Sequence, residues 1–247
     1  LFFSLKAMIP INKKSNLILT AAMGLLLANI IALSLLANKI GIIDLSQSQN
    51  TFSRLLATHV EVAILIWLPS ITLVVWLKIA NISEKISNLF AFILASCTLL
   101  MVFTGLFSSA SVTLSDYFPV IQHPLFIFAM LGVCIIMITA AVITLIKINI
   151  FSNWIVTLNT IAVMVTMALL GAGLIYSTFD DWTKASSLFW ISGHIYQLAL
   201  VYTLCLFWLG TNHQQQNLSF AFKIVWALPL VVHLLAIAIA LTNTELN

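Results

Sequence analysis

Two histidines lie inside long apolar stretches of the sequence. His194 stands in SSLFWISGHIYQLALVYTLCLFWL, residues 186–209, and His59 stands in LLATHVEVAILIWLPS, residues 55–70. A neutral imidazole in such a setting needs a partner. That partner is a metal or a haem iron in one interpretation. In the other it is a carbonyl or hydroxyl of a neighbouring helix. Because both histidines share this setting, the sequence favours ligation and leaves the hydrogen-bonded alternative open.

The composition excludes a soluble protein. Hydrophobic residues make up 62% of the 247 residues, and charged residues make up only 7%. Soluble domains are nearer about half apolar and about a quarter charged. The ten Lys+Arg residues are spread over loops and form no patch, so nucleic-acid binding has no support. The three cysteines have no paired spacing and are predicted to be small buried residues, at Cys97, Cys134 and Cys205.

Seven stretches are long and apolar enough to cross a bilayer as helices. A spanning helix needs roughly 20 apolar residues, and lipid tolerates no exposed irregular backbone. The predicted spans are about 16–37, 55–77, 88–109, 124–146, 154–176, 187–209 and 220–241. The sequence therefore predicts an all-α, polytopic membrane helix bundle of about seven transmembrane helices. It forms one domain over residues 1–247, with membrane lipid around it.

Basic residues are divided unevenly between the two ends of these spans. Three lie on the side away from the N-terminus, and seven lie on the N-terminal side, namely Lys6, Lys13, Lys14, Lys78, Lys85, Lys147 and Lys223. The positive-inside rule then predicts a cytoplasmic or matrix N-terminus, and we expect a bacterial inner membrane. In that orientation four of the five histidines fall in the outer half of the membrane, at His59, His123, His194 and His233.

Other polar residues accompany the two central histidines. Glu61 is the one acid inside a predicted span. Ionisable groups are costly there and mark function, although its place near the outer interface also fits a solvated carboxylate. Gln197 and Tyr202 follow His194 along one helix face, with Gln197 at the i+3 position. This polar stripe predicts a buried site or a proton path.

The two remaining outer histidines have weaker settings. His123 directly precedes Pro124, a residue suited to the first turn of a helix. It is therefore interpreted first as a polar residue at the start of a span. His233 is alone on an apolar helix, and a structural role is the simpler interpretation for it as well.

The residues around His59 and His194 resemble two helices of the haem–copper oxidase catalytic subunit. Arg54-Leu-Leu-Ala-Thr-His-Val-Glu, which leads into Trp67 and Pro69, resembles the second helix, where one His binds the low-spin haem. Trp190-Ile-Ser-Gly-His-Ile-Tyr-Gln resembles the start of the sixth helix, where a His binds the active-site copper. The segment YFPVIQHPLF, residues 117–126, is similar to a stretch of divergent bacterial members.

The resemblance extends over the chain as the first seven helices of a twelve-helix subunit, cytochrome c oxidase subunit I-like. It implies a respiratory-chain oxidoreductase that uses haem and copper. His59 would bind low-spin haem iron and His194 copper, with His233 a further candidate ligand. Dioxygen or nitric oxide would be reduced, with proton uptake past Gln197 and Tyr202. The implied partners are other oxidase subunits and an electron donor such as cytochrome c or quinol.

The sequence departs from this family in its other ligands. The segment GHIYQ, residues 193–197, stands where many oxidases have His-Pro-Glu-Val-Tyr, and the later His pairs have no counterpart. We therefore expect the N-terminal part of a longer subunit, or a chain completed by a second one that supplies the missing helices. Two alternatives stay open. One is a haem-b electron-transfer membrane protein with His59 and His194, or His233, as axial ligands. The other is a membrane transporter or assembly factor with structural histidines.

Overall fold

Helices form almost all of the computed structural model, which describes residues 15–43, 49–113, 115, 117–148, 154–179 and 182–209. A two-stranded antiparallel hairpin lies between the helices that end at Phe107 and begin at Pro124. In chain order the elements are α1 Ser15–Lys39, α2 Gln49–Glu61, a π-helical turn Val62–Trp67, α3 Leu68–Ile79, α4 Glu84–Phe107, β1 Val112–Thr113, β2 Val120–Ile121, α5 Pro124–Lys147, α6 Trp154–Thr178 and α7 Trp182–Leu209. The segments α2, the π-helical turn and α3 run on without a break, so they form one continuous helix.

Five of the described helices are long and apolar enough to cross a membrane. They are Asn16–Lys39, Asn50–Ile79, Glu84–Phe107, Pro124–Lys147 and Val156–Thr178. The prediction of an all-α bundle of membrane-type helices is confirmed by these five, which cover the first five predicted spans. Helix α7 covers the sixth predicted span, 187–209. The seventh, 220–241, lies outside the described residues, and so does His233.

The continuous helix formed by α2 and α3 is the central element of the bundle. It contacts α1 and α4 along both of its halves, and α3 also contacts α5 and α7. Burial agrees with this position. In the most apolar part of this helix 72% of the residues are buried, whereas the corresponding share in α1 is 33%. Helix α1 instead exposes large apolar side chains such as Leu26 and Leu33, as expected for a face in contact with lipid.

Pro69 accounts for a local change in the central helix. Proline has no N–H, so one carbonyl of the preceding turn loses its backbone donor. Within the π-helical turn each bond spans five residues, and the carbonyl five positions before Pro69 belongs to Ile64. The hydroxyl of Tyr196 on α7 donates to this Ile64 oxygen at 2.7 Å. A side chain of another helix therefore replaces the missing backbone donor.

A buried polar network joins α3, α6 and α7 near the end of the bundle where α3 ends and α6 begins. Trp76 Nε1 donates to Asn159 Oδ1 at 2.8 Å. The amide nitrogen of Asn159 donates to the carbonyl of Ala199 at 2.8 Å and to Thr203 Oγ1 at 3.1 Å. Asn159 is 0% exposed, so these bonds replace water for a strongly polar side chain.

The hydrogen-bond directions in this network follow from the donors available. Thr72 donates its hydroxyl hydrogen to the Leu68 carbonyl at 3.0 Å. Thr203 accepts from Asn159 and lies 3.2 Å from Thr72 Oγ1, so its own hydrogen is free to point at Thr72. The bonds then run in one direction from the Trp76 indole to the Leu68 carbonyl. Such an aligned chain is stabilised further because each bond polarises the next.

Removing the amide of Asn159 is expected to destabilise the bundle. In Asn159→Leu the indole N–H of Trp76 loses its acceptor, and the Ala199 carbonyl and the Thr203 hydroxyl lose the donor that Asn159 supplies. We expect a loss of about 1 to 2 kcal/mol in the free energy of unfolding, measured by denaturation in detergent. Thr139→Val is the matched control, since the Thr139 hydroxyl is exposed and donates to the Ile135 carbonyl of its own helix. Equal stability of the two variants would contradict a stabilising network.

Candidate functional site

His59 is half-buried on α2 and faces α1. Its Nδ1 lies 2.8 Å from the carbonyl oxygen of Ala28. A carbonyl only accepts hydrogen bonds, so Nδ1 must carry the hydrogen and donate it. In the neutral ring the lone pair is then on Nε2, the nitrogen that remains for a metal. The imidazole thus has the interhelical bond of the structural interpretation and keeps a ligating nitrogen.

The helix carrying His59 approaches α4 closely. Gly105 of α4 lies against Thr58, and a Cβ at position 105 would overlap the Thr58 hydroxyl. That hydroxyl donates to the Arg54 carbonyl at 2.8 Å. Arg54 is itself only 7% exposed, and its guanidinium donates to Thr51 Oγ1 at 3.1 Å. Gly105 is therefore required for the contact that fixes α2 beside His59.

Glu61 is fully buried at the last position of α2, immediately before the π-helical turn. The side chain is 0% exposed, and neither carboxyl oxygen has a hydrogen-bond partner among the described residues. It lies within electrostatic range of Cys134 on α5 and of Tyr196 on α7. The interpretation of Glu61 as a solvated carboxylate at the outer interface is wrong, because the helices packed around α2 cover it.

His194 lies on α7 with both ring nitrogens engaged. Nδ1 is 2.9 Å from the carbonyl of Trp190, one turn earlier, and must donate to it. Nε2 is 3.2 Å from the hydroxyl of Tyr117, which lies between β1 and β2. Because Nδ1 carries the hydrogen of the neutral ring, Nε2 accepts and the Tyr117 hydroxyl donates. The nitrogen that would bind a metal is therefore occupied by a protein group.

The residue before His194 allows this contact. Gly193 is buried, and a Cβ at position 193 would overlap the Tyr117 ring. The Tyr117 ring meets His194 edge-on with centroids 4.9 Å apart, and the centroids of the Trp190 and His194 rings are 4.0 Å apart. The imidazole of His194 therefore contacts two aromatic rings.

The polar stripe predicted on α7 is arranged differently in the structure. Gln197 is exposed, whereas Tyr196 is buried and bonds to Ile64. The side chain of Tyr202 lies outside the part of the chain that the structure describes. Sequence reasoning missed Tyr196, although Pro69 signals that a carbonyl of the central helix needs a side-chain donor.

His123 is the N-cap of α5. Its Nδ1 accepts a hydrogen bond from the backbone N–H of Leu125 at 3.2 Å, and Pro124 occupies the first helical position. The imidazole therefore satisfies one of the backbone donors that a helix start leaves without a partner. This is the structural role that the sequence favoured for His123.

Within the described residues, no three His, Cys, Asp or Glu side chains are grouped so that they would hold a metal ion. His59 fits a single axial ligand to haem iron, because its Nε2 has no partner there. His194 in this arrangement does not fit a copper ligand, since Tyr117 takes Nε2. A cavity of about 380 Å³ between α5 and α6 borders neither histidine, and it is lined by Gln122, Pro124, Ile127, Phe128, Leu131, Ser177 and Thr178.

The fold and these side chains define an all-α protein of membrane-type helices with histidines, a carboxyl group and phenols inside the bundle. Comparisons of the chain with protein-family models, with curated proteins and with solved structures find no match. A function is therefore inferred from the geometry above and from the resemblance of short segments.

Replacing Glu61 tests whether the buried carboxyl costs stability. Glu61→Met keeps a side chain of similar length and removes two carboxyl oxygens that have no hydrogen-bond partner in the described part of the chain. We expect the free energy of unfolding to rise by about 1 to 2 kcal/mol, measured by thermal or chemical denaturation of the purified chain in detergent. Glu84→Met is the matched control on an exposed acid and should change stability by less than about 0.5 kcal/mol. A marked loss of stability in Glu61→Met would contradict this account.

Proposed function

We propose that the chain is part of a haem–copper oxidase-like catalytic subunit of a respiratory electron-transport chain. The observation that carries the proposal is the geometry of His59, whose Nδ1 donates to Ala28 and whose Nε2 keeps its lone pair. The segments at residues 54–61 and 190–197, which resemble two metal-binding helices of that family, support it. The proposal includes an integral location in a bacterial inner membrane with the N-terminus in the cytoplasm.

His59 would hold a low-spin haem, and the contact with Ala28 gives the residue its orientation. A histidine ligand commonly donates its other ring nitrogen to a carbonyl, which fixes the tautomer and makes the ligating nitrogen more basic. The Ala28 carbonyl belongs to a buried residue of α1, so the acceptor is held by helix packing. The haem itself would supply one-electron transfer, and this chain would supply binding and ring orientation.

The second centre in this proposal is a copper site at His194, which would form only after the Tyr117 hydroxyl leaves Nε2. The described residues provide only this one imidazole for it, so further ligands would come from other helices, with His233 a candidate, or from a partner chain. The substrate would be dioxygen or nitric oxide, and the electron donor a cytochrome c or a quinol. Gln197 and Tyr202 are the candidates from the sequence for a proton path. The buried Tyr196 adds a hydroxyl that reaches the central helix.

A second candidate function has its own observation in favour. The bond between Tyr117 and His194 is the hydrogen-bonded arrangement of a structural histidine. If both imidazoles are structural, the chain belongs to a different class, such as a membrane transporter or an assembly factor. A haem-b electron-transfer protein is the third case. There His194 or His233 would be the second axial ligand of the haem bound by His59, and the protein would contain no copper. Metal and haem content of the purified protein separates the three.

Substitution of His59 tests the leading proposal directly. We expect His59→Ala to abolish the low-spin haem band in reduced-minus-oxidised spectra of membranes, because Ala provides no ligand to the iron. His123→Ala is the matched control, since it removes an imidazole that caps a helix and should leave the band in place. Copper analysis of the purified wild-type protein then separates the oxidase proposal from the haem-b alternative. A low-spin band of unchanged height in His59→Ala excludes the role of His59.

A further inference from the structure

Tyr117 and His194 meet at the outer end of the predicted orientation, far apart in the sequence. Tyr117 lies in the connection between β1 and β2, and His194 lies on α7. Three contacts bring them together: the hydrogen bond of 3.2 Å, the edge-on ring contact, and the packing of the Tyr117 ring on bare Gly193. A ring seated this closely on a glycine backbone has little freedom to turn away, so the hydroxyl is held at Nε2.

His59 and His194 share one hydrogen-bond pattern at Nδ1 and differ in what contacts Nε2. Both His59 and His194 donate from Nδ1 to a backbone carbonyl, and both therefore have the lone pair on Nε2. At His194 the Tyr117 hydroxyl occupies that lone pair. At His59 no described residue does so. The same tautomer is thus present twice, once with a blocked nitrogen and once with an open one.

We propose that Tyr117 is a positioning residue that holds the imidazole of His194 in place, in the tautomer set by the Trp190 carbonyl, and blocks its Nε2. A nitrogen lone pair binds either a hydroxyl hydrogen or an electrophile, so the two compete. Any metal that takes Nε2 must first displace the Tyr117 hydroxyl. This consequence for copper rests on the proposed function, whereas the hydrogen bond and the blocked nitrogen do not.

The competition can be measured without any metal. Diethyl pyrocarbonate acylates unprotonated imidazole nitrogen, and peptide mass spectrometry gives a separate rate for each histidine. In the full chain purified in detergent, Tyr117→Phe keeps the ring packed on Gly193 and removes only the hydroxyl. We expect acylation of His194 to become about fivefold faster relative to His59 in the same sample, as the loss of one neutral hydrogen bond implies.

Tyr176→Phe is the matched control for Tyr117→Phe. It removes a phenolic hydroxyl from the corresponding end of α6, and the Tyr176 ring has its contact with Lys184 rather than with a histidine. The ratio of the His194 rate to the His59 rate should stay at the wild-type value in this variant. An unchanged ratio in folded Tyr117→Phe overturns the proposal.

A second variant, at Gly193, displaces the Tyr117 hydroxyl without changing Tyr117 itself. Gly193→Ala places a methyl group where the Tyr117 ring lies, so it should release the hydroxyl and speed His194 acylation as well. Nitrogen NMR of the labelled histidines gives an independent readout, because the Nε2 signal of His194 should shift in both variants. If it shifts in neither, the assignment of Tyr117 as the donor fails.

Titration with copper(I) separates this inference from the proposed function. If His194 is a copper ligand, Tyr117→Phe should bind copper(I) more tightly than the wild type, and the double variant Tyr117→Phe/His194→Ala should lose that gain. Faster acylation together with unchanged copper(I) affinity would support the positioning role of Tyr117 and count against a copper site at His194.

Discussion

A bundle of membrane-type helices must satisfy its polar side chains from within, because hydrocarbon offers no hydrogen bonds. Most of the buried threonines described here return their hydroxyl to a carbonyl of their own helix, as Thr72, Thr98 and Thr160 do. Asn159 and Tyr196 instead bond to other helices, and each one links parts of the chain that backbone bonds cannot connect. Polar contacts between helices therefore set which faces meet.

The same constraint makes the few available lone pairs informative. An imidazole inside such a bundle has two ring nitrogens. In both His59 and His194, the Nδ1–H group donates to a backbone carbonyl. What distinguishes a ligand from a structural residue is then the state of the second nitrogen. Glu61 presents a related case, since two carboxyl oxygens without a described partner raise the free energy of the folded chain. Natural sequences keep such groups where the function uses them.

The spans were predictable from single segments because a transmembrane helix satisfies its own backbone, so its signal is local. The start of α5 was predictable for the same reason, since His123 and Pro124 act on the adjacent turn. The contacts of the site were not. Tyr117 meets His194 across 77 positions, and Tyr196 meets Ile64 across 132. Neither segment by itself identifies its partner residue, because the two come together only when the bundle forms.

The π-helical turn at Val62–Trp67 has a geometric consequence for the whole central helix. Such a turn amounts to one extra residue in an α-helix, and each residue rotates the following side chains by roughly 100° about the axis. The angle about the helix axis between His59, before the turn, and Trp76, after it, therefore differs from the angle in a regular α-helix. The continuous helix directs its histidine to α1 and its indole to α6.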